Sequence, residues 1–207
     1  ELAIALDDSF PFETLLPVID AFYALNKQTR LNFTHHTLAG SWEELTHNGA
    51  DIILGAINEP PTSAAWSYKM LGTLDNVFVV APSHPLAAAT DGLTNEQLCL
   101  HRAVVISDSA RFCHPLQSNL MDEQPQIRVD DFDSKVTLLR AGLGCGFLPR
   151  HIVRPWLATG ELVEKSVISF RQKDVAYMAW RNHSDGLAQR WWREALLASP
   201  EVAQLYQ

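Results

Sequence analysis

The residues best suited to chemistry lie just after strand-like segments, and most of them are polar or aromatic. In an open α/β sheet, ligands bind beyond the carboxyl ends of the strands, so such residues are candidates for one cleft. Each taken alone is also an ordinary cap or turn residue. The candidates are Ser9 and Phe10 after residues 2–6, Leu38 after residues 31–36, Ser107 and Ser109 after residues 103–106, and Phe132 and Asp133 after residues 127–129.

The charges at these strand ends indicate the kind of ligand. Helix N-termini favour anions, yet acidic side chains crowd the same positions, with few cations beside them. We therefore predict a neutral or hydrogen-bond-donating ligand, such as a hydroxylated aromatic, and not a simple carboxylate. The alternative is that these aspartates only cap helices. The charged residues are Asp7, Asp8, Asp108, Asp131 and Asp133, against Arg111 and Lys135.

A glycine-rich stretch, LLRAGLGCGFLP at residues 138–149, adds one more candidate. A phosphate-binding loop follows a strand and opens a helix, whereas these glycines follow a helix and lead into a strand. Gly142 is therefore predicted to end the helix, because glycine accepts the left-handed conformation there. Residues 144–147 are predicted to shape one wall of the pocket, so Phe147 joins the candidate site.

Catalytic and metal-binding motifs would indicate a different class of protein. The sequence holds no GxSxG, HExxH or GxxxxGK motif, which favours a binding protein over an enzyme. His35 and His36 are adjacent, so on a strand they face opposite sides and cannot chelate one ion together. The three cysteines, Cys99, Cys113 and Cys145, show no CxxC spacing, which favours reduced thiols. We predict neither a metal nor a cofactor.

Composition limits the partners. The chain has 207 residues, 47% hydrophobic and 19% charged, enough for one large domain or two small lobes. A net charge of -8 without any basic run argues against direct binding to a polyanion. No apolar run approaches the length of a membrane span, and the first residues do not resemble a signal peptide. The sequence begins at Glu1 without an initiator methionine, so we expect a fragment of a longer protein. The reduced thiols favour a cytoplasmic location.

The elements that must position these residues alternate between strands and helices. Apolar strands at residues 2–6, 31–36 and 50–57 are separated by helical patterns, which predicts a parallel sheet with right-handed crossovers. Ser41 with Glu44 three residues later is typical of a capping box at the start of the second helix. A final helix from Asp185 is predicted to pack Trp192 and Leu196 against the first lobe.

The second half of the chain shows the same alternation. Strands are predicted at residues 103–106 and 127–129, with a helix over residues 135–141 after a polar cap. A further helix is predicted over residues 115–121. The strands at residues 77–80 and 176–180 are predicted to cross between the two lobes.

Several segments together resemble the effector-binding half of LysR-type transcriptional regulators. They occur in the order and spacing of that family across nearly the whole chain, and SDSAR with MAWRN also resembles a smaller enteric group of these regulators. Some of that group answer aromatic or quinone-like compounds, and others control purine or allantoin use. The matching pieces are LAIAL, LLPVIDAF, NGADIILGA, VVAPSHPLA, AGLGCGFLP and ATGEL.

The resemblance implies a fold, an organisation and a site. The fold is α/β, with two Rossmann-like lobes joined by two crossing strands, as in type 2 periplasmic binding proteins. Lobe I would comprise residues 1–79 plus 178–207, and lobe II residues 80–177. The family's winged helix-turn-helix would precede Glu1 and is absent from this chain. The family's cleft positions fall on the strand-end candidates given above, Ser9, Phe10, Leu38, Ser107, Ser109, Phe132 and Asp133.

The resemblance also implies a function. A small-molecule effector, expected to be a hydroxylated aromatic or quinone-like compound, would bind between the lobes and change the geometry of an oligomer on DNA. The partners would be the effector, further copies of the chain, and DNA through the missing domain only. The main alternative is an exported solute-binding protein of an uptake system, and an enzyme on the same bilobed fold is a second.

Overall fold

The structure is a computed structural model, and it describes residues 1–25, 28–111, 124–168, 170, 173–182 and 186–206. The chain divides into two compact units. Unit 1 comprises residues 1–74, 109–115 and 175–207, and unit 2 comprises residues 75–108 and 116–174. The helix predicted over residues 115–121 lies outside the described residues.

Strands and helices alternate along most of the chain, as the sequence predicts. In chain order they are β1 (Leu2–Asp7), α1 (Leu16–Leu25), β2 (Leu31–His36), α2 (Ala39–Glu43), β3 (Ile52–Ile57), β4 (Trp66–Val80), α3 (Asn95–Cys99), β5 (Ala103–Ile106), β6 (Gln126–Val129), α4 (Phe132–Arg140), β7 (Gly146–Pro149), α5 (Arg150–Ala158), β8 (Val163–Lys165), β9 (Lys173–Arg181), α6 (Leu187–Ala198) and α7 (Pro200–Leu205).

Unit 1 is built on a sheet with strand order β2-β1-β3-β9-β4, and its last two strands continue into unit 2. Strand β1 pairs parallel with both β2 and β3, and β9 then pairs antiparallel with β3. The predicted parallel opening is therefore confirmed.

One face of this sheet carries the main hydrophobic core. Ile4, Leu6 and Phe22 pack there with Trp192 and Leu196, and both of the last two are fully buried. Burying a large apolar side chain stabilises the fold by about 1.5–3 kcal/mol. The predicted packing of the final helix on the first lobe is confirmed. The sequence pattern does not predict the break at Ser199, where α6 ends and α7 begins with its own serine cap.

The predicted capping box at Ser41 is wrong. Helix α2 begins at Ala39, with Leu38 as its N-cap and no capping hydrogen bond from a side chain. Ser41 lies inside the helix, fully buried, and a single π-helical turn over Glu44–Asn48 follows. Leu38 has φ 53° and ψ -125°, a conformation that ordinary capping patterns do not include.

Unit 2 contains a small parallel sheet of β5 and β6, while β7 and β8 pair antiparallel with β4. Its core includes Val104, Leu139, Leu148 and Val153. These residues come from strands β5 and β7 and from helices α4 and α5, so the core joins both kinds of element. The strand-helix alternation predicted for this half of the chain is confirmed.

The chain passes between the units inside two strands, β4 after Leu74 and β9 after Asp174. The boundaries predicted from the sequence, after residue 79 and before residue 178, fall in the same two strands. Strand β4 is much longer than the predicted residues 77–80, because it begins at Trp66. Ser109 also belongs to unit 1 although Asp108 belongs to unit 2, so the chain changes units there as well.

The glycine-rich stretch forms a corner of unit 2. Gly142 has φ 73°, and its N–H donates to Leu139 O while Leu143 N–H donates to Leu138 O, so it ends α4 as predicted. Gly144 serves a different purpose, since a Cβ there would lie 2.7 Å from Arg102 O. This glycine therefore permits the close approach of two backbone segments.

Candidate functional site

In unit 1 the carboxyl ends of the first two parallel strands lie side by side. Asp7 is in register with His36, and the N–H of Asp8 donates to His36 O at 2.8 Å. Ser9 follows β1, and Leu38 follows β2. The structure therefore brings these two predicted site residues to one edge of the sheet, where α/β folds bind ligands.

Ser9 is held by the residue that ends β1. Both its backbone N–H, at 3.0 Å, and its hydroxyl, at 2.5 Å, donate to Asp7 Oδ1. Ser9 and Asp7 are each 4% exposed. The two donors of Ser9 thus satisfy one oxygen of a buried carboxylate, and this fixes the turn that leaves β1.

Phe10 and Leu38 are both buried, which fits either a role in the wall of a pocket or a role in the core. The ring of Phe10 stacks on that of Tyr206, with centroids 6.4 Å apart. Leu38 has a positive φ, which costs a side-chain-bearing residue on the order of 1–3 kcal/mol. Strain of this size is retained where the surrounding structure overdetermines a turn, often at binding sites.

Ser109 is fastened to the turn after β2. Its hydroxyl accepts from Thr37 N–H at 2.9 Å and donates to Thr37 O at 3.1 Å. Gly40 makes room for it, because a Cβ at Gly40 would lie 1.8 Å from Ser109 Oγ. Two residues further, the backbone N–H of Arg111 lies 2.8 and 3.0 Å from the two carboxylate oxygens of Glu43. These hydrogen bonds therefore hold the segment from Ser109 to Arg111 against unit 1.

In unit 2 the remaining strand-end residues follow β5 and β6. The N–H of Ser107 donates to Val129 O at 2.8 Å, so the ends of these parallel strands are joined. Phe132 and Asp133 open α4 directly after β6. Phe132 is partly buried against the core, whereas Asp133 is exposed. The structure thus brings Ser107 and the start of α4 to one edge of unit 2.

Lys135 joins α4 to β7. It is 4% exposed, and its ammonium donates to Phe147 O at 2.7 Å. Burial lowers the pKa of Lys135 to about 7, an effect that the nearby Cys145 thiol opposes. Burial in turn raises the pKa of Cys145 to about 12. Gly146 leaves the space for this lysine, because a Cβ there would lie 3.3 Å from Lys135 Cε.

The ring of Phe147 stacks on that of Phe170 with centroids 3.7 Å apart, and it meets Phe78 edge-on at 5.0 Å. Phe147 lies on β7, and its own backbone carbonyl accepts from Lys135.

One of the aspartates at the predicted strand ends has a structural role. Asp131 caps α4, since its carboxylate oxygens accept from the N–H and the hydroxyl of Ser134, both at 2.7 Å. These hydrogen bonds lower the pKa of Asp131. One carboxylate oxygen of Asp7, Oδ1, likewise accepts both hydrogen bonds from Ser9. We predict a neutral ligand from the negative charge of these aspartates. Part of that charge therefore accepts hydrogen bonds from neighbouring residues of the fold.

Some residues at these edges carry no signal in the sequence. Gly40 is recognisable only once Ser109 is placed against it, 69 positions later in the chain. Tyr206 follows a short helix near the end of the sequence and carries no local motif.

In the part of the chain that the structure describes, no cluster of three or more His, Cys, Asp or Glu side chains is suited to a metal ion. No helix among the same residues is long and apolar enough to cross a membrane.

The chain belongs to the family of LysR substrate-binding domains, whose model matches residues 1–200. The relatives that it matches are named as HTH-type transcriptional regulators. It is 43% identical over 206 residues to YeeY of Escherichia coli K12, named as an uncharacterized HTH-type transcriptional regulator, covering 100% of this chain and 67% of the relative. It is 33% identical over 190 residues to YhaJ of the same strain, named as a probable HTH-type transcriptional regulator, covering 92% and 63%. The chain thus spans about two thirds of each relative.

Solved regulatory domains of the family share the fold. The regulatory domain of CcmR from Synechocystis PCC6803, solved in complex with 2-PG, aligns with a TM-score of 0.67 and 14% identity, covering 95% of each chain. The effector-binding domain of QuiR, solved with shikimate, aligns with a TM-score of 0.64 and 15% identity, covering 99% of this chain and 96% of its own. The predicted type 2 periplasmic-binding-protein-like fold is confirmed, and the exported solute-binding alternative is not favoured.

Proposed function

We propose that this chain binds a small-molecule effector and passes the binding signal to the DNA-binding part of a transcriptional regulator. The observation that carries the proposal is the match of a LysR substrate-binding model to residues 1–200. Two structural neighbours were solved with small molecules, 2-PG and shikimate. The role is binding and not catalysis, in keeping with relatives named as transcriptional regulators.

The proposal takes the strand-end residues of each unit as the effector-binding residues. They are Ser9, Phe10, Leu38 and Ser109 on unit 1, with Ser107, Phe132, Asp133 and Phe147 on unit 2.

Effector binding acts on transcription only if the effector prefers one arrangement of the protein over another. We propose that this arrangement is the geometry of an oligomer of the regulator on DNA, which the DNA-binding domain contacts. A cytoplasmic location is part of the proposal, because regulators of transcription act on DNA there. The effector remains a hydroxylated aromatic or quinone-like compound in this proposal.

The test is a ligand-dependent thermal unfolding screen with catechol, hydroquinone, shikimate and benzoate. A ligand at a hundred times its dissociation constant raises the free energy of unfolding by about 2.7 kcal/mol. We expect catechol or hydroquinone to stabilise the chain. Calorimetric binding of benzoate without binding of either phenol would contradict the neutral-ligand proposal. Failure of every small molecule in a wider screen would contradict effector binding itself.

Asp133→Asn tests whether the proposed residues contact the ligand. Asp133 is exposed, so the fold should tolerate the change. If the effector donates a hydrogen bond to this carboxylate, we expect about tenfold weaker binding, which corresponds to about 1.4 kcal/mol. Asp20→Asn on α1, also exposed, is the matched control and should leave binding unchanged. Equal affinity in both variants would remove Asp133 from the site.

A further inference from the structure

Unit 1 holds a buried tyrosine whose hydroxyl has no hydrogen-bond partner among the described residues. Tyr206 is 4% exposed, and its Oη is one of the few buried polar atoms there without a partner. An unpaired buried hydroxyl destabilises a fold, because its hydrogen bonds to water are lost without replacement. The unpaired hydroxyl therefore lowers the stability of the fold, and a bound hydrogen-bond partner would restore it.

Two glycines leave the space that Tyr206 occupies. Gly55 has φ 82°, and a Cβ there would lie 2.6 Å from Tyr206 Oη. Gly72 has φ 147°, and a Cβ there would lie 2.0 Å from Tyr206 O. Both φ values lie in a region that residues with side chains rarely adopt. Larger residues at either position would displace the tyrosine, so the chain makes room specifically for it.

The hydroxyl lies near the edge where Ser9 leaves the sheet. Burial, and secondly the negative charge of Asp7, raise the pKa of Tyr206 well above its usual value. The phenol therefore keeps its proton and can donate. The ring of Phe10 stacks on that of Tyr206 and supplies an apolar wall beside the hydroxyl.

These surroundings select one chemical class. A group beside the Asp7 carboxylate is favoured if it donates a hydrogen bond, and a group that meets the Tyr206 O–H is favoured if it accepts one. A hydroxyl group does both. A carboxylate or phosphate would accept from Tyr206 but would be repelled by the charge of Asp7 in a buried environment.

We propose that Tyr206 Oη and the Asp7 carboxylate form a subsite of unit 1 for a hydroxyl group of a small ligand. The ligand hydroxyl accepts from Tyr206 and lies beside Asp7, and a ring bearing it packs against Phe10. This inference rests on the proposed function, because it names the group of the effector that unit 1 recognises. Tyr206 is then a specificity-determining residue.

The experiment compares Tyr206→Phe with Tyr68→Phe in the full chain. The first variant removes only the buried hydroxyl, and the second removes the hydroxyl of a tyrosine that is 55% exposed on β4. Catechol binding is measured by calorimetry, with benzoate as a probe that has a carboxylate but no hydroxyl. We expect Tyr206→Phe to weaken catechol about tenfold, the effect of one neutral hydrogen bond, and Tyr68→Phe to change nothing.

The stability of the ligand-free variants separates this role from a structural one. Because Tyr206 Oη has no partner among the described residues, Tyr206→Phe should unfold at the same or a higher denaturant concentration than the parent chain. A clear loss of stability with unchanged catechol affinity would identify a resident water only and overturn the subsite. Equal affinities in parent and Tyr206→Phe would overturn it as well, while leaving the proposed function standing. A parent chain that binds none of the screened small molecules would overturn both.

Discussion

The two units satisfy their buried polar groups in different ways. In unit 1 two predicted site residues are held by hydrogen bonds within the unit, Ser9 to Asp7 and Ser109 to Thr37. In unit 2 the corresponding edge holds an exposed Asp133 and a buried Lys135 whose ammonium donates to a backbone carbonyl. In unit 1 hydrogen bonds within the unit therefore fix the turns at the sheet edge, whereas in unit 2 a lysine is buried behind the edge.

The distribution of unpartnered atoms sharpens this contrast. Among the described residues, every buried side-chain polar atom without a partner lies in unit 1. Neutral groups of this kind cost little enough to persist, while a buried charge costs far more and shifts its pKa instead. We therefore expect Lys135 to make the stability of unit 2 depend on pH. The unpartnered atoms are Ser41 Oγ, Trp66 Nε1, Gln189 Oε1, Trp192 Nε1 and Tyr206 Oη.

The largest expected effect comes from Lys135→Met. The pKa of Lys135 is about 7 in the fold, below the value of about 10.4 for an unfolded lysine. Between these two pKa values the unfolded chain binds more protons, so the free energy of unfolding rises with pH, by on the order of 4 kcal/mol in all. Lys135→Met should remove this rise and unfold at higher denaturant than the parent chain at pH 6. Urea unfolding at pH 6 and pH 9 measures both effects.

Lys165→Met is the matched control for this prediction. Lys165 is also buried, but its ammonium donates to Ala89 O at 2.6 Å and lies 3.2 Å from an Asp91 carboxylate oxygen. Removing it takes a cation from a paired site, so this variant should lose stability at both pH values. A parent chain whose stability is flat from pH 7 to pH 10 would contradict the account of Lys135.

Gly40→Ala tests the packing that fixes Ser109 in unit 1. The new methyl group would lie 1.8 Å from Ser109 Oγ, so the segment must move. We expect the free energy of unfolding to fall by about 2 kcal/mol, a usual cost of overpacking. The double variant Gly40→Ala with Ser109→Ala relieves the closest contact and should lose less than the sum of the single changes. Additive losses in chemical denaturation would show that Gly40 acts elsewhere.

Asp131→Ala tests the start of α4 in unit 2. The carboxylate caps the helix through two hydrogen bonds from Ser134, and its loss should cost about 1 kcal/mol. Because the folded pKa of Asp131 is lowered, this contribution is present above the pKa of an unfolded aspartate and is lost as the pH falls through the folded value. Asp133→Ala, two residues further into the same helix, should cost less. Equal losses at pH 7 would contradict the cap.

The fold is predictable where local periodicity decides it. The parallel opening of β1, β2 and β3 follows from short apolar strands separated by helical patterns. The first half of β4 is not predicted, since residues 66–74 mix polar and apolar side chains and follow two prolines, Pro60 and Pro61. That half belongs to a sheet assembled from distant segments, and no short window of sequence contains this information.

The site is predictable only in part. Strand-end positions follow from topology, so the sequence alone predicts that Ser9 and Leu38 lie at an edge of the first sheet, and that Phe132 follows a strand of unit 2. The hydrogen bonds of Ser109 with Thr37 join residues 72 positions apart, which no motif signals. The capping box at Ser41 misleads because the observed N-cap is Leu38, three residues earlier. Leu38 has a positive φ, whereas capping statistics assume an extended N-cap.

The smallest expected effect is that of Ser41→Ala, which sharpens the comparison from the side of unit 1. Ser41 is fully buried in α2, and its hydroxyl has no partner among the described residues. Alanine has the higher helix propensity and removes an unsatisfied group, so the free energy of unfolding should stay equal or rise by about 1 kcal/mol at most. Ser109→Ala, which breaks two hydrogen bonds, should lose stability in the same urea titration. A loss in Ser41→Ala as large as that in Ser109→Ala would mean that unit 1 uses its unpartnered hydroxyls through bound water, and the same reasoning would then apply to Tyr206.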